Sequence, residues 1–145
     1  MKHLNLPPVW LAAAIAGAWV LARIWAPLGN ALVWPGYALI VAGLALAVWA
    51  AVAFRRARTT IVPHQSPSAL VDTGPYRFSR NPIYLADLII LAGVALLLGA
   101  PLALIMLVPF YFVLLHLFIL PEEAVLAQEL GQPYLDFCAR VRRWL

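Results

Sequence analysis

Four apolar runs, each about as long as one membrane crossing, constrain this chain more than any other feature. They cover roughly residues 9–25, 36–54, 82–98 and 102–120 of a 145-residue sequence. Charged residues make up only 11% of the chain, whereas an ordinary soluble domain is about a quarter charged. A water-soluble globule is therefore excluded. We predict an all-α fold, a polytopic membrane helical bundle with four transmembrane helices and a C-terminal interfacial helical tail, forming a single membrane domain over residues 1–145.

Basic residues lie at the ends of these runs, which predicts the orientation of the chain. With four crossings, the arginine cluster at 55–58 and the arginines near the C-terminus fall on one side of the membrane. Cytoplasmic loops carry an excess of Lys and Arg, so we expect both termini in the cytoplasm, with a cytoplasmic loop at 55–80 and a cytoplasmic tail at 121–145. The expected location is the inner membrane of a bacterium. The net charge of +4 then needs no nucleic-acid partner.

Two polar motifs are expected to meet at the cytoplasmic face, because only the uncharged turn at 99–101 separates the third run from the fourth. The third run begins at residues 80–82 (Arg-Asn-Pro) and the fourth ends at 121–123 (Pro-Glu-Glu). An antiparallel helical hairpin places both motifs at one membrane depth, where a pocket opens to cytosol and lipid alike. A purely local explanation also exists, since Asn81 and Pro82 suit a helix N-cap and first turn, and the glutamates suit a helix dipole.

Asp87 is the charged residue that local structure explains least, because it lies more than one turn inside the third run. An ionisable group within a membrane segment indicates function and needs a partner. Helical spacing places Arg80, Tyr84 and Asp87 on one face, so Arg80 or Arg77 is the expected partner. The alternative is that Asp87 only snorkels or forms a structural pair with Arg80.

The tail is predicted to contain two short helices that are separated at Gly131 and Pro133. An apolar stripe and several arginines suit a helix lying on an anionic leaflet, or a lid over the pocket. Elsewhere, the lone Cys138 and three isolated histidines predict neither a disulfide nor a metal site. One of those histidines, His116, is expected to be an interior, hydrogen-bonded residue.

The chain resembles the integral-membrane methyltransferases typified by isoprenylcysteine carboxyl methyltransferase, together with the related phospholipid methyltransferases. The resemblance lies in residues 70–85 (LVDTGPYRFSRNPIYL), in the Glu122-Glu123 pair, and in Leu126, Gly131, Tyr134 and Val141. It covers about residues 55–145, and its specificity comes from the combination of a GPYR turn, an R-(H/N)-P-x-Y helix start and a downstream Glu pair. It implies methyl transfer from S-adenosyl-L-methionine to a lipid or other hydrophobic acceptor, a carboxylate or an amine. Membrane lipids are the implied partners, and the oligomeric state is left open.

Carried over by position, the resemblance also implies the residues of the site. The cofactor would be held by Ser68, Ala69, Leu70, Val71, Tyr76, Asn81, Pro82, Ile83, Tyr84 and Glu122. Arg80 and Glu123 would shape the catalytic site. An amine acceptor must lose its proton, and Glu123 or Asp87 is the expected general base.

Three positions depart from the family pattern. Asn81 stands where the eukaryotic enzymes have His, and Ala86 replaces a usual Gly. Phe118, four residues before Glu122, stands where carboxyl methyltransferases have a substrate-binding Arg. This last difference weakens a prenylcysteine carboxylate as the acceptor and makes a lipid amine at least as suitable.

Two other function classes stay open at this point. Membrane sterol and steroid reductases share an R-(H/N)-P-x-Y region and bind NADPH, but they are normally longer, with more spans. A small membrane transporter or structural bundle would instead couple Asp87 to a cation. Transport would require Asp87 and would not require Glu122, whereas methyl transfer should fail without Glu122.

Overall fold

The structure, a computed structural model, describes residues 6–24, 29–57 and 70–145. Ser68 and Ala69, two residues of the predicted cofactor site, lie outside these ranges. Within them the chain is helical and contains no strand. The helices are α1 (Pro7–Ile24), α2 (Val33–Arg56), α3 (Pro82–Leu97), α4 (Leu107–Val113), α5 (Leu120–Leu130) and α6 (Gln132–Arg140), with short 3₁₀ turns at Gly29–Leu32, Gly74–Arg77 and Pro101–Met106 and a π-helical segment at Leu114–Ile119.

Three helical stretches are long and apolar enough to cross a membrane, namely α1, α2 and the continuous stretch Pro101–Leu130. Helix α3 is also apolar, but it has 16 residues, fewer than the roughly 20 that a crossing normally needs. The predicted all-α membrane helical bundle is confirmed. The fourth crossing, through α3, stays a prediction.

The stretch Pro101–Leu130 continues past Pro121, where the sequence analysis placed the end of the fourth run. Proline lacks an N–H and clashes with the carbonyl four residues earlier in a regular α-helix. The π-helical segment Leu114–Ile119 directly precedes α5 and changes the hydrogen-bond register there. Glu122 and Glu123 are therefore carried by a continuing helix. The break expected at Gly131 is present, with a φ of +58° between α5 and α6.

Helices α2 and α3 pack with their backbones almost in contact. A Cβ atom added at Gly36 would lie 2.9 Å from the carbonyl oxygen of Gly93, and one added at Gly93 would lie 2.8 Å from the carbonyl oxygen of Gly36. One added at Gly43 would lie 3.0 Å from the carbonyl oxygen of Ala86. Small residues allow helices to approach this closely, and they fix the position of α3, which carries much of the predicted site.

Buried apolar residues form two clusters. The bundle core joins α1, α3 and the stretch Pro101–Leu130, and includes Ala14, Ala18, Tyr84, Leu91, Phe110, Leu114 and Phe118. The end cluster joins the end of α2, the segment after residue 70 and α6, and consists of Ala50, Ala53, Val71, Tyr76, Tyr134 and Phe137. Most polar residues of the predicted site lie at the polar end of the bundle (residues 70–81 and 121–145), whereas Tyr84 and Asp87 lie on α3.

Substitution of Gly36 tests the α2–α3 contact. We expect Gly36→Ala to lower the free energy of unfolding by about 1–3 kcal/mol, the usual cost of overpacking, because the new methyl group meets backbone atoms that cannot move aside. Gly17→Ala is the matched control, since its methyl group meets the flexible end of the Met106 side chain. Thermal unfolding in detergent micelles measures both. Equal stability of the two variants would contradict the close packing described here.

Candidate functional site

The turn Gly74–Arg77 seats Tyr76 at the polar end of the bundle. Gly74 begins the turn with a φ of +61°, a conformation that glycine adopts without strain. The Tyr76 ring packs edge-on against Phe54, with centroids 5.3 Å apart. Burial raises the pKa of the Tyr76 phenol above its ordinary value, and the nearby charge of Glu122 raises it further. Tyr76 is therefore a neutral phenol close to the Glu122 carboxylate.

Tyr84 and Glu122 form the central contact of the site. The Tyr84 hydroxyl donates a 2.6 Å hydrogen bond to Glu122 Oε1, although the two residues are 38 positions apart. Tyr84 is only 7% exposed, and its ring contacts Phe118 at 6.1 Å between centroids. Among the described residues Glu122 makes no ion pair. The site thus contains a part-buried carboxylate that a phenol orients and that no cation among the described residues neutralises.

Glu123, the neighbour of Glu122, is bound by two arginines. Arg143 donates from Nε to Oε1 at 3.0 Å and from Nη2 to Oε2 at 2.7 Å, which is the two-pronged geometry of the strongest guanidinium–carboxylate pairs. Nη1 of Arg80 lies 3.2 Å from Glu123 Oε1. The charge of Glu123 is therefore fully compensated, in contrast to that of Glu122.

The expected pairing of Asp87 with Arg80 or Arg77 is not formed. Arg80 binds Glu123 and also donates from Nη1 to Cys138 Sγ at 2.8 Å, while Arg77 is exposed. Asp87 lies five residues into α3, about 8 Å along the helix axis from Pro82. Arg80 precedes the helix, and its guanidinium contacts Glu123 instead. Within the described part of the chain, half-buried Asp87 has no hydrogen-bond or ion-pair partner.

Asn81 occupies the N-cap position of α3, as predicted, but its side chain does not cap the helix. Its Nδ2 instead donates to the backbone carbonyl of Arg143 at 3.1 Å, and its backbone N–H donates to Ser79 Oγ at 3.1 Å. The Ser79 hydroxyl donates in turn to the carbonyl of Arg143 at 3.3 Å. Asn81 therefore connects α3 to the segment that follows α6.

The other described residues of the predicted cofactor site contribute mainly packing. They lie close to Tyr76 or at the first turn of α3, where each is buried or half-buried: Leu70, Val71, Pro82 and Ile83. His116, expected in the interior, is exposed and stacks on Phe112, with ring planes 9° apart. The π-helical segment that carries His116 turns it away from the bundle core.

Three residues of the site were assigned no role in it by the sequence analysis: Ser79, Cys138 and Arg143. Cys138 and Arg143 reach the residues that precede α3 because α6 folds back against the polar end of the bundle. Their hydrogen bonds to Ser79, Arg80 and Asn81 join residues 58 to 64 positions apart. No local pattern signals such contacts, although the neighbouring tail residues Tyr134 and Val141 belong to the family pattern.

An apolar groove of about 400 Å³ lies between α2, α3 and α4. Its lining is Leu39, Leu88, Ile89, Ala92, Leu107, Val108 and Tyr111. Leu88 lies one helical turn beyond Tyr84, and the Tyr111 ring packs on Trp144, with centroids 5.2 Å apart. On α3 the groove therefore begins one helical turn from Tyr84 and extends to Ala92, away from the polar end of the bundle.

Comparison with known proteins gave one family. The family model described as phospholipid methyltransferase matches residues 31–133, a range that includes α2, α3 and the Tyr84–Glu122 pair. Searches of curated proteins and of solved structures returned no match.

Removal of the Tyr84 hydroxyl tests the central contact. We expect Tyr84→Phe to lower the free energy of unfolding by about 1–3 kcal/mol, because it leaves a part-buried carboxylate without its donor. Tyr37→Phe is the matched control, since Tyr37 is exposed on α2. Denaturation of the purified protein in detergent compares the two variants, and a Tyr84→Phe protein as stable as the control would rule out the contact.

Proposed function

The chain belongs to the phospholipid methyltransferase family, and from that premise we propose that it transfers a methyl group from S-adenosyl-L-methionine to a hydrophobic acceptor at the cytoplasmic membrane interface. Family membership implies a methyltransferase that acts on lipid-like substrates. The long apolar helices make the chain a membrane protein. The cofactor, the acceptor and the cytoplasmic orientation are parts of the proposal.

The observation that supports the proposal best is the Glu122 carboxylate, which has a phenol partner but, in the part of the chain that the structure describes, no cationic partner. S-Adenosyl-L-methionine has an ammonium group, a sulfonium group and a ribose diol. A carboxylate accepts hydrogen bonds from an ammonium group or from hydroxyls, and the rings of Tyr76 and Tyr84 attract cations to their faces. These residue types therefore suit the cofactor, with Leu70, Val71 and the first turn of α3 completing its surroundings.

Two unpaired donors at the polar end of the bundle give further support. Among the described residues, Arg80 Nε and Trp144 Nε1 are buried and have no hydrogen-bond acceptor. Buried polar groups are normally paired, so both donors match a bound molecule that contributes acceptors. The amino-acid carboxylate of the cofactor is such a group.

The chain's own residues would position the reactants and manage the acceptor's proton. When bound, S-adenosyl-L-methionine supplies an electrophilic methyl group, and positioning accounts for much of the rate of such a displacement. We assign Arg80 and Glu123 to positioning, because protonation of Glu123 would disrupt its contacts with two guanidinium groups. Asp87 has no such contacts, and it is our candidate general base for an amine acceptor.

The groove supports a hydrophobic acceptor. Its lining is almost wholly apolar and its volume lies within the usual range of ligand sites. We place the hydrocarbon chain of the acceptor in the groove, so that its head group lies at the depth of Tyr84 and Glu122. Phe118, 1% exposed in the bundle core, offers no charge to bind a carboxylate, which favours an amine. Neither a reductase nor a transporter gains support from the family match.

Binding of S-adenosylhomocysteine tests the cofactor assignment. Calorimetric titration of the detergent-solubilised protein should give saturable micromolar binding, and Glu122→Ala should abolish it because the carboxylate is lost. Glu129→Ala, which removes an exposed glutamate of the same helix, should bind as the wild type does. Absence of binding by well-folded wild-type protein would refute the assignment, and NADPH would then be the next ligand to test.

The general base is tested by comparing two acceptors. We expect Asp87→Asn to slow methylation of phosphatidylethanolamine vesicles by about 10²–10⁴-fold, the usual contribution of general-base catalysis. S-Adenosylhomocysteine binding should be retained, which the same titration checks. Transfer of a radiolabelled methyl group measures turnover. Farnesylcysteine is the second acceptor in the comparison, because its carboxylate needs no proton removed. Unchanged turnover of phosphatidylethanolamine by Asp87→Asn would exclude Asp87 from this role.

A further inference from the structure

The segment Val141–Leu145 leaves the end of α6 and crosses the polar end of the bundle. Helix α6 ends at Arg140, and Val141 has the extended conformation, with φ −119° and ψ 129°. The segment then runs along the turn that precedes α3. We call it the strap.

Backbone carbonyls of the strap bind the turn that begins α3. The Arg142 carbonyl accepts the backbone N–H of Arg80 at 2.9 Å. The next carbonyl, that of Arg143, accepts both the Asn81 side chain and the Ser79 hydroxyl. Three successive residues of the turn are thus held by two successive residues of the strap.

Side chains of the strap anchor it to the rest of the bundle. Arg143 forms the two-pronged pair with Glu123 of α5. Trp144 packs on Tyr111 of α4 and against the bundle core, while Val141 packs against the end cluster. The strap therefore links α3, α4 and α5, and it joins the two buried clusters.

These contacts lead to one inference, which rests on the proposed function. We propose that the strap positions the first turn of α3 for the cofactor, and that Arg143 is the positioning residue that holds the strap in place. Tyr84 lies three residues after Asn81, in the first turn of α3. That turn directly follows the residues that the strap binds. Anchoring of the strap therefore sets where the Tyr84 hydroxyl meets Glu122.

Asn81 has a different role under this proposal from the one that the resemblance implied. The resemblance implied direct cofactor binding by this residue, but its amide donates to the Arg143 carbonyl. We assign Asn81 to holding the strap. Arg143 itself differs from Arg140 and Arg142, whose side chains are exposed.

Arg143→Ala tests the inference, with Arg140→Ala as the matched control on an exposed arginine outside the strap. Loss of one charge-assisted pair is expected to weaken S-adenosylhomocysteine binding about tenfold. KM for S-adenosyl-L-methionine should rise by about the same factor while kcat stays within about twofold, because the strap acts on cofactor binding. Calorimetry and steady-state kinetics measure these changes, and Arg140→Ala should match the wild type in both.

The outcomes separate the inference from the proposed function. Wild-type protein that binds S-adenosylhomocysteine, together with unchanged binding by Arg143→Ala, overturns the strap inference alone. A fall in kcat with unchanged KM also overturns it, since a merely structural role reduces the amount of active protein. Failure of the wild type to bind refutes the proposed function, and the positioning role with it.

A measurement on the wild type covers the case in which Arg143→Ala does not fold. The Arg80 amide donates to the strap, so its hydrogen exchange reports whether the strap is closed. We expect S-adenosylhomocysteine to slow this exchange at least several-fold. Unchanged exchange at saturating ligand would show that the strap and the cofactor site are uncoupled, and would overturn the inference.

Discussion

Glu122 and Glu123 are neighbours on one helix, and the polar end of the bundle is organised by the different partners that they take. A carboxylate leaves water at a high cost unless other groups compensate it. Glu123 obtains that compensation from two arginines, and in doing so ties the segment after α6 to the start of α3. From residues 6–24, 29–57 and 70–145, Glu122 obtains only the Tyr84 hydroxyl. The contacts of Glu123 with the arginines hold the elements of the site together. The contact of Glu122 with Tyr84 leaves the Glu122 carboxylate able to bind a cation.

This arrangement depends on two backbone features of the bundle. Close packing through Gly36, Gly43 and Gly93 fixes α3 against α2, so that Tyr84 is presented at a defined depth. The π-helical segment allows the helix to continue through Pro121, and both glutamates consequently face the start of α3. Neither feature is polar, yet together they determine which charged groups can meet.

The two surfaces next to the Tyr84–Glu122 pair differ in chemistry, in accordance with the function that we propose. One side is the polar end of the bundle, where a water-soluble cofactor can enter. The other is the apolar groove, which suits a hydrocarbon chain and opens along the membrane-spanning helices. Under the proposed function, a site between these surfaces would bring together two reactants that otherwise stay in different phases.

The sequence alone determined the all-α membrane bundle and placed Tyr84 and Glu122 together, because apolar periodicity and the positions of polar residues along a helix fix depth and burial. It also indicated the break at Gly131. The tertiary structure decided which charges pair: Arg80 binds Glu123 instead of Asp87, Asn81 holds the strap instead of capping α3, and His116 faces outward. These outcomes depend on how helices distant in the sequence are positioned and rotated against each other, and a local pattern carries no information about that geometry.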